Sequence, residues 1–330
     1  MSCLFASGSV LPRRERWNKK RRRSEESGEI YDWKDSGAAA EGMNMNFTKM
    51  QGIGNDYVYV DCTRESVKDP SALARRVSDR HFGIGSDGLV LILKGEKADF
   101  RMRMFNADGS EAQMCGNASR CVARYVHDRG LTEKTEMTLE TGSGVRNLKL
   151  NMKDGRVTSV TVDMGEPETD PAKIPVLPSA IGLAGNPETV LNAPMEVNGQ
   201  VFGITCVSMG NPHCVIFQDE VESWPIETWG PAFENHPAFP ERINAEFARI
   251  IDRKHIRMRV WERGSGETMA CGTGACATLA AAVLNQRTER CAILCLNGGE
   301  LEIEWDEKTG HIFMTGPAEF VFDGSIETEV

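Results

Sequence analysis

Beyond Phe47 the chain runs in short stretches where apolar and polar residues alternate, the period-2 pattern of strands with one buried face. In its first part, positions 56–62, 89–93, 99–105, 137–141 and 156–163 predict strands. Pro70 at a first helical position predicts a helix over 71–79, and a second is expected over 117–128, stopped by Gly130. Pro167, Pro171, Pro175, Pro178, Pro187 and Pro194 then stud a segment that reads as the connection between two domains. Strand patterns resume over 201–208, 214–217, 255–262, 292–296, 301–305 and 319–322. The helix expected over 275–284 is apolar on nearly every side, so other structure must wrap it.

The two sets of elements are copies of one plan. Residues 101–118 and 257–274 align without a gap at an offset of 156, with Arg, Met, Arg, Glu, Cys and Gly coinciding and Phe105 facing Trp261. The same offset relates Gly54-Asn55 to Gly210-Asn211, and Gly142 to Gly298, each in an expected hairpin turn. Self-similarity at one fixed offset predicts two homologous halves, each carrying one Cys-Gly at a helix start. A sheet curled around a central helix in each half would bury the apolar helix.

Composition narrows the functional classes. A chain of 330 residues can bury large cores and is expected to form two domains. Its net charge of −10 argues against a nucleic-acid surface. No apolar run approaches the roughly 20 residues of a membrane span, and no signal-peptide core is present, so a cytoplasmic protein is expected. Ten cysteines in such a chain are expected to stay reduced. None forms a Cys-x-x-Cys pair and the six histidines are scattered, so no metal is expected. Residues 1–44 differ from the rest: a basic run from Arg13 to Arg23 precedes an acidic, small-residue stretch ending at Gly42. That composition predicts a disordered tail, with Met43 or Met45 as an alternative start.

The two Cys-Gly sites carry the chemistry. Unpaired backbone N–H groups and the helix dipole favour negative charge at a helix N-terminus, which should lower the pKa of Cys115 and Cys271. The following glycines let backbone approach a ligand, and the same N–H groups could hold a carboxylate. Two such sites across a cleft would place one thiol on each face of a substrate. That suits inversion at a carbon next to a carboxylate, with one thiolate taking the proton and the opposite thiol supplying another. No lysine sits in a cofactor motif, so no cofactor is expected. Glu111 and Glu267 could brace the turns before the cysteines, and Arg101, Arg103, Arg257 and Arg259 read as solvated strand faces. Three alternatives stay open: a racemase of another amino acid, a thiol redox sensor and a non-enzymatic amino-acid-binding module.

The stretches Gly52-Ile53-Gly54-Asn55-Asp56, Phe105 to Glu111, Met114-Cys115-Gly116-Asn117, Met209-Gly210-Asn211-Pro212-His213 and Glu262 to Cys276 closely resemble the diaminopimelate epimerase family. The resemblance covers about Met45 to the C-terminus. It implies an α+β fold of two pseudo-symmetric domains, 45–163 and 164–330, each a curved, mostly antiparallel sheet around a central helix, with the last strand able to return to the first half. It implies a cofactor-independent, homodimeric isomerase acting on LL- and meso-2,6-diaminopimelate, in lysine and peptidoglycan biosynthesis. Cys115 and Cys271 become the acid/base thiols, tuned by His213 and Glu262. Gly116, Asn117, Gly272 and Thr273 would bind the reacting carboxylate and amine. Asn55, Asn106, Asn211, Asn244 and Arg263 would hold the substrate, Arg263 clamping its distal carboxylate. Two positions depart from the family: Ala118 where Cys-Gly-Asn-Gly is usual, and Gly88 where some members place a substrate-binding glutamine.

Overall fold

The computed structural model describes residues 43–185 and 187–328. The first half holds β1 (Met43–Gly52), β2 (Asn55–Asp61), α1 (Pro70–Ser78), β3 (Gly88–Lys94), β4 (Phe100–Asn106), β5 (Glu111–Ala112), α2 (Gly116–Asp128), β6 (Glu136–Thr141), β7 (Gly144–Lys153) and β8 (Arg156–Gly165). The second holds β9 (Ala193–Val197), β10 (Gln200–Ser208), β11 (Pro212–Phe217), α3 (Ile226–Glu234), β12 (Asn244–Asp252), β13 (His255–Glu262), β14 (Gly266–Glu267), α4 (Gly272–Leu284), β15 (Cys291–Cys295), β16 (Glu300–Trp305), β17 (Ile312–Gly316) and β18 (Glu319–Thr328). Met43 and Asn44, expected in the tail, already belong to β1; the rest of that tail lies outside the described residues.

Strand pairing repeats the sequence repeat. β2–β3 and β11–β12 are parallel, and their registers match across the offset: Tyr57 pairs with Gly88, and His213 with Asn244. β3–β4 and β12–β13 are antiparallel, with Val90 opposite Met104 and Glu246 opposite Val260. β4 and β13 each pair with a two-residue strand, β5 or β14, which turns the chain toward the following helix. The two halves meet where β8 pairs antiparallel with β17, and β18 returns to pair with β1. The fold is thus α+β, with one large curved sheet and two central helices. Among the described residues, no helix is long and apolar enough to cross a membrane.

Each central helix starts for a visible reason. Cys115 caps α2, its Sγ accepting from the Ala118 N–H at 3.5 Å, and the chain leaves the helix through Gly130 at φ +69. Cys271 is the N-cap of α4. Residues 116–123 of α2 and 274–282 of α4 are buried on all sides, and both helices share one hydrophobic cluster. Outside the sheet, α1 packs in the first half with Val58, Val60 and Leu91, and α3 in the second with Phe202 and Phe247. The sheet therefore has a helix on either face in each half.

The sequence pattern missed β1, β7, β9, β12, β17 and α3. β12 carries Asn244 and Glu246 inside a buried stretch, which hides its alternation. α3 contains Gly230 and Pro231, both signals against a helix. Three of the four arginines expected on solvated faces, Arg103, Arg257 and Arg259, are braces instead, while Arg101 stays partly exposed with no carboxylate nearer than 3.8 Å. Arg103 grips Glu111 at 2.7 and 2.9 Å, and Arg259 grips Glu267 at 2.7 and 3.0 Å. Arg259 also donates to the carbonyls of Val221, Glu222 and Trp224, and Arg257 to Cys295 and Asn297. These bidentate pairs fix the turn before each cysteine, the brace expected of Glu111 and Glu267.

Candidate active site

The first turns of α2 and α4 meet. Asn117 Nδ2 donates to the Ala270 carbonyl at 3.4 Å, tying α2 to the backbone just before Cys271. The same amide donates to Asn55 Oδ1 at 3.2 Å, and Asn55 Oδ1 lies 3.6 Å from Cys115 Sγ. Met314 of β17 lies beneath both turns. A Cβ on Gly116 would overlap its Cε, and one on Gly272 would lie 2.9 Å from its Sδ and 3.7 Å from Asn117 Oδ1. The glycine after each cysteine therefore packs against the flexible end of Met314, which a methyl at either position would displace.

Around Cys271 the groups are polar and acidic. Thr273 Oγ1 lies 3.5 Å from its Sγ. Glu262 accepts from Thr268 Oγ1, and burial pushes its carboxyl up, with Thr268 and His213 pulling it back. His213 and Glu246 form a fully buried pair, Nδ1 to Oε1 2.6 Å, while His213 Nε2 lies 3.1 Å from Asn211 Oδ1. A Cβ on Gly274 would stand 2.8 Å from Glu246 Oε1 and 3.3 Å from Cys271 Sγ, so the carboxyl and the thiol flank one glycine. Burial also pushes Glu246 up, against the pull of His213.

The thiols do not have the depressed pKa expected of helix N-termini. Burial raises Cys115, outweighing the N–H groups of Ala118 and Asn117; Glu262 raises it further and Arg120 lowers it. Burial pushes Cys271 well above the usual range, reinforced by Glu262 and Glu246 and opposed by Thr273 and Gly274. Desolvation of a thiolate exceeds what one helix turn returns.

Asn244 Nδ2 holds the Pro212 carbonyl at 2.8 Å and its Oδ1 accepts from the Arg263 N–H at 2.9 Å. Asn244 thereby links the Asn211 loop to Arg263, whose guanidinium donates to the Glu241 carbonyl at 2.9 Å. Asn106 donates to Ser110 Oγ at 3.0 Å within its own turn, with no hydrogen bond to the thiol cluster among the described residues. Gly88 admits no side chain: a Cβ would overlap the Phe105 carbonyl and lie 2.9 Å from the Tyr57 ring. Ala118 fits its helix turn fully buried.

Sequence reasoning missed Glu246, Asp87 and Met314. Asp87 takes Asn55 Nδ2 at 2.7 Å and so aims the Asn55 oxygen at Cys115. Glu246 left a signal, a lone acid between Ala245 and Phe247, but only a recognised strand would have turned it inward.

The family model for diaminopimelate epimerase matches residues 47–169 and 205–321. A diaminopimelate epimerase of Acetivibrio thermocellus is 56% identical over 86% of this chain and 99% of its own. One of Desulfovibrio desulfuricans is 55% identical over 85% and 97%. Among solved structures, a hydroxyproline epimerase from Agrobacterium vitis superposes with a TM-score of 0.61 at 13% identity, covering 88% of this chain and 92% of that one. A phenazine biosynthesis protein of the PhzF family from Bacillus anthracis gives 0.62 at 17% identity, covering 87% and 100%. Those two likenesses speak to the fold. The sequence matches extend across both halves and both cysteine turns, and the chain belongs to the diaminopimelate epimerase family.

Proposed function

We propose that this protein epimerises LL-2,6-diaminopimelate to the meso isomer through two thiols, without a cofactor, and serves lysine and peptidoglycan biosynthesis. The observation that carries the reading is the junction of two cysteine-capped helix starts, held together by Asn117 and the Ala270 carbonyl. An α-carboxylate at that junction would accept from backbone N–H groups of Gly116, Asn117, Gly272 and Thr273, where both helix dipoles favour negative charge. As the α-proton leaves to one thiolate, the same dipoles stabilise the developing carbanion. The opposite thiol then protonates the other face. The net change is one proton lost and one gained at the carbon, and one proton moved between the thiols.

Asn55, Asn106, Asn211, Asn244 and Arg263 are assigned to substrate holding, with Arg263 on the distal carboxylate. Gly88 supplies only backbone, so contacts to the distal amine come from these neighbours. His213 and Glu262 tune the thiols. The working form is assigned as a homodimer, which sedimentation tests.

The test is α-hydrogen exchange in deuterated water with the reduced protein. Wild type should wash deuterium into diaminopimelate and invert it with nothing added. Cys115→Ser and Cys271→Ser should each lose on the order of 10²–10⁴-fold. Full inversion by either variant, or faster turnover of proline, histidine, lysine or glutamate, sinks the reading.

A further inference from the structure

The turn that presents Arg263 is docked on its helix differently from its twin in the first half. The indole of Trp261 packs on α3 at Gly230, where a Cβ would stand 2.3 Å from ring carbons. One helical turn further along the same face, Glu234 Oε2 accepts from Trp261 Nε1 at 2.7 Å. Glu234, only 6% exposed, takes two more donors on Oε1: the Gly264 N–H at 2.9 Å and Arg242 Nη1 at 3.0 Å. Arg242 stands at φ +59, a left-handed backbone that a non-glycine residue keeps only when its surroundings hold it. The carbonyl just before it, that of Glu241, receives the Arg263 guanidinium at 2.9 Å. One buried carboxylate therefore fixes both ends of Arg263, the backbone through Gly264 and the guanidinium through the turn at Arg242.

The first half builds the same frame without that carboxylate. At the fixed offset Gly230 corresponds to Ala74, Glu234 to Ser78, Arg242 to Ser86, Trp261 to Phe105, Arg263 to Ala107 and Gly264 to Asp108. Ser78 and Ser86 meet only as hydroxyls at 3.3 Å, and Phe105 has no ring N–H to give. There α1 donates to the carbonyls of its turn instead, Ser71 Oγ to Gly109 at 2.8 Å and Arg75 Nη1 to Asp108 at 3.2 Å. The counterparts of Ser71 and Arg75 are Glu227 and Pro231, which carry no side-chain N–H. The first turn is thus held by its carbonyls and offers Ala107, whereas the second is held by its N–H and offers Arg263. Every partner changes together with the arginine, which ties the carboxylate to the arginine's task and not to the fold.

We propose that Glu234 is the positioning residue for Arg263, aiming its guanidinium at a carboxylate on the far end of the substrate and so selecting amino acids that carry a second carboxylate. This rests on the reading above that places Arg263 on the distal carboxylate. A guanidinium binds a carboxylate through two parallel N–H bonds, so a turn fixed in advance removes an ordering cost from binding. Acting on the far end of the substrate, Glu234 should govern binding and leave proton transfer at the thiols alone.

The experiment compares Glu234→Gln, Arg263→Ala and the double variant in steady-state epimerisation of diaminopimelate. Glutamine matches glutamate in size but turns an N–H group toward one of the three donors. Glu234→Gln should raise KM about 10–100-fold and change kcat by less than about 3-fold. Arg263→Ala should raise KM at least as much. The double variant should stay within about 3-fold of Arg263→Ala, because the carboxylate then has nothing left to aim. Backbone amide exchange over residues 262–266 should quicken in Glu234→Gln. A purely structural glutamate would lower kcat and leave KM alone, or give effects that multiply in the double variant; either result overturns the proposal, as does unchanged amide exchange. If Glu234→Gln fails to fold, Trp261→Phe, which brings in the first half's residue and removes one donor, should raise KM about 3–10-fold. A wild-type KM in that variant then overturns the proposal. A raised KM in Arg263→Ala beside a wild-type KM in Glu234→Gln overturns this proposal alone, whereas a wild-type KM in Arg263→Ala overturns the distal-clamp reading with it.

Discussion

At matching places in the two halves, Tyr57 corresponds to His213, Gly88 to Asn244, Val90 to Glu246 and Ala118 to Gly274. The backbones agree, since both sets of strands pair in the same register. What differs is where polarity sits. The first half keeps its charges behind Asn55, where Asp56 meets Lys49 at 2.6 Å and Arg80 at 3.0 Å, and Asp87 meets Arg80 at 3.0 Å. The second half places its charges directly behind Cys271. A methyl fits at Ala118 because apolar Val90 stands where the second half has Glu246, whereas a methyl at Gly274 would press on Glu246 Oε1. Backbone repetition preserves the frame of a site, and single side chains decide its electrical character.

Removing a charge from the second half should have the largest effect. Glu246→Ala leaves His213 buried without its partner and should cost about 3–5 kcal/mol in denaturant unfolding. A loss below about 1 kcal/mol would mean that the pair contributes little and that the contrast between the halves is weak. Next, Gly274→Ala should slow turnover on the order of 10²-fold by displacing Cys271. Ala118→Gly, at the matching place, should cost only about 1 kcal/mol of helix stability and leave the rate nearly unchanged. Equal effects on rate would break the comparison.

A sharper form adds Glu246→Val to Gly274→Ala, giving the second half the first half's pair. The alanine penalty should then shrink, with a coupling of about 0.5–3 kcal/mol in the cycle; additivity would show that Glu246 does not crowd residue 274.

The smallest effect concerns the first half. Burial alone would raise Asp56, yet Arg80 and Lys49 hold it below the usual carboxylate range. Its folded pKa is therefore lower than its unfolded one, so its contribution is complete above the ordinary value of about 3.9 and fades as pH falls through the folded value. Asp56→Asn should lower the melting temperature at neutral pH by a few degrees, roughly 1 kcal/mol, with the difference vanishing in strong acid. A difference that persists in acid would assign the loss to packing.

Much of this organisation could be read before any coordinates. The offset and the paired Cys-Gly frame gave the two halves, and the all-apolar run after Gly274 gave a wrapped central helix. β12 escaped notice because it carries Asn244 and Glu246 inward, and periodicity cannot tell an inward acid from an outward one, whereas β9 and β17 alternate cleanly and were legible in principle. The direction of the thiol shifts was misread for a related reason. A sequence displays a helix start, but the burial that outweighs it depends on Met314 and Glu246, which arrive from strands far along the chain. Arg120 was invisible in the same way, since an arginine one turn into a helix normally reaches water.

The return of β18 to β1 bears on how the chain is made. Thr48 Oγ1 donates to Asp323 Oδ1 across a separation of 275 residues, and Arg120 reaches the Pro317 carbonyl. During synthesis, therefore, the first half emerges with an open sheet edge until the last strand leaves the ribosome. Contacts so distant in sequence make folding slow, and an open edge invites pairing with other chains. A chain cut short before β18 should accumulate as aggregate even though both cysteines and every residue of the junction are already present.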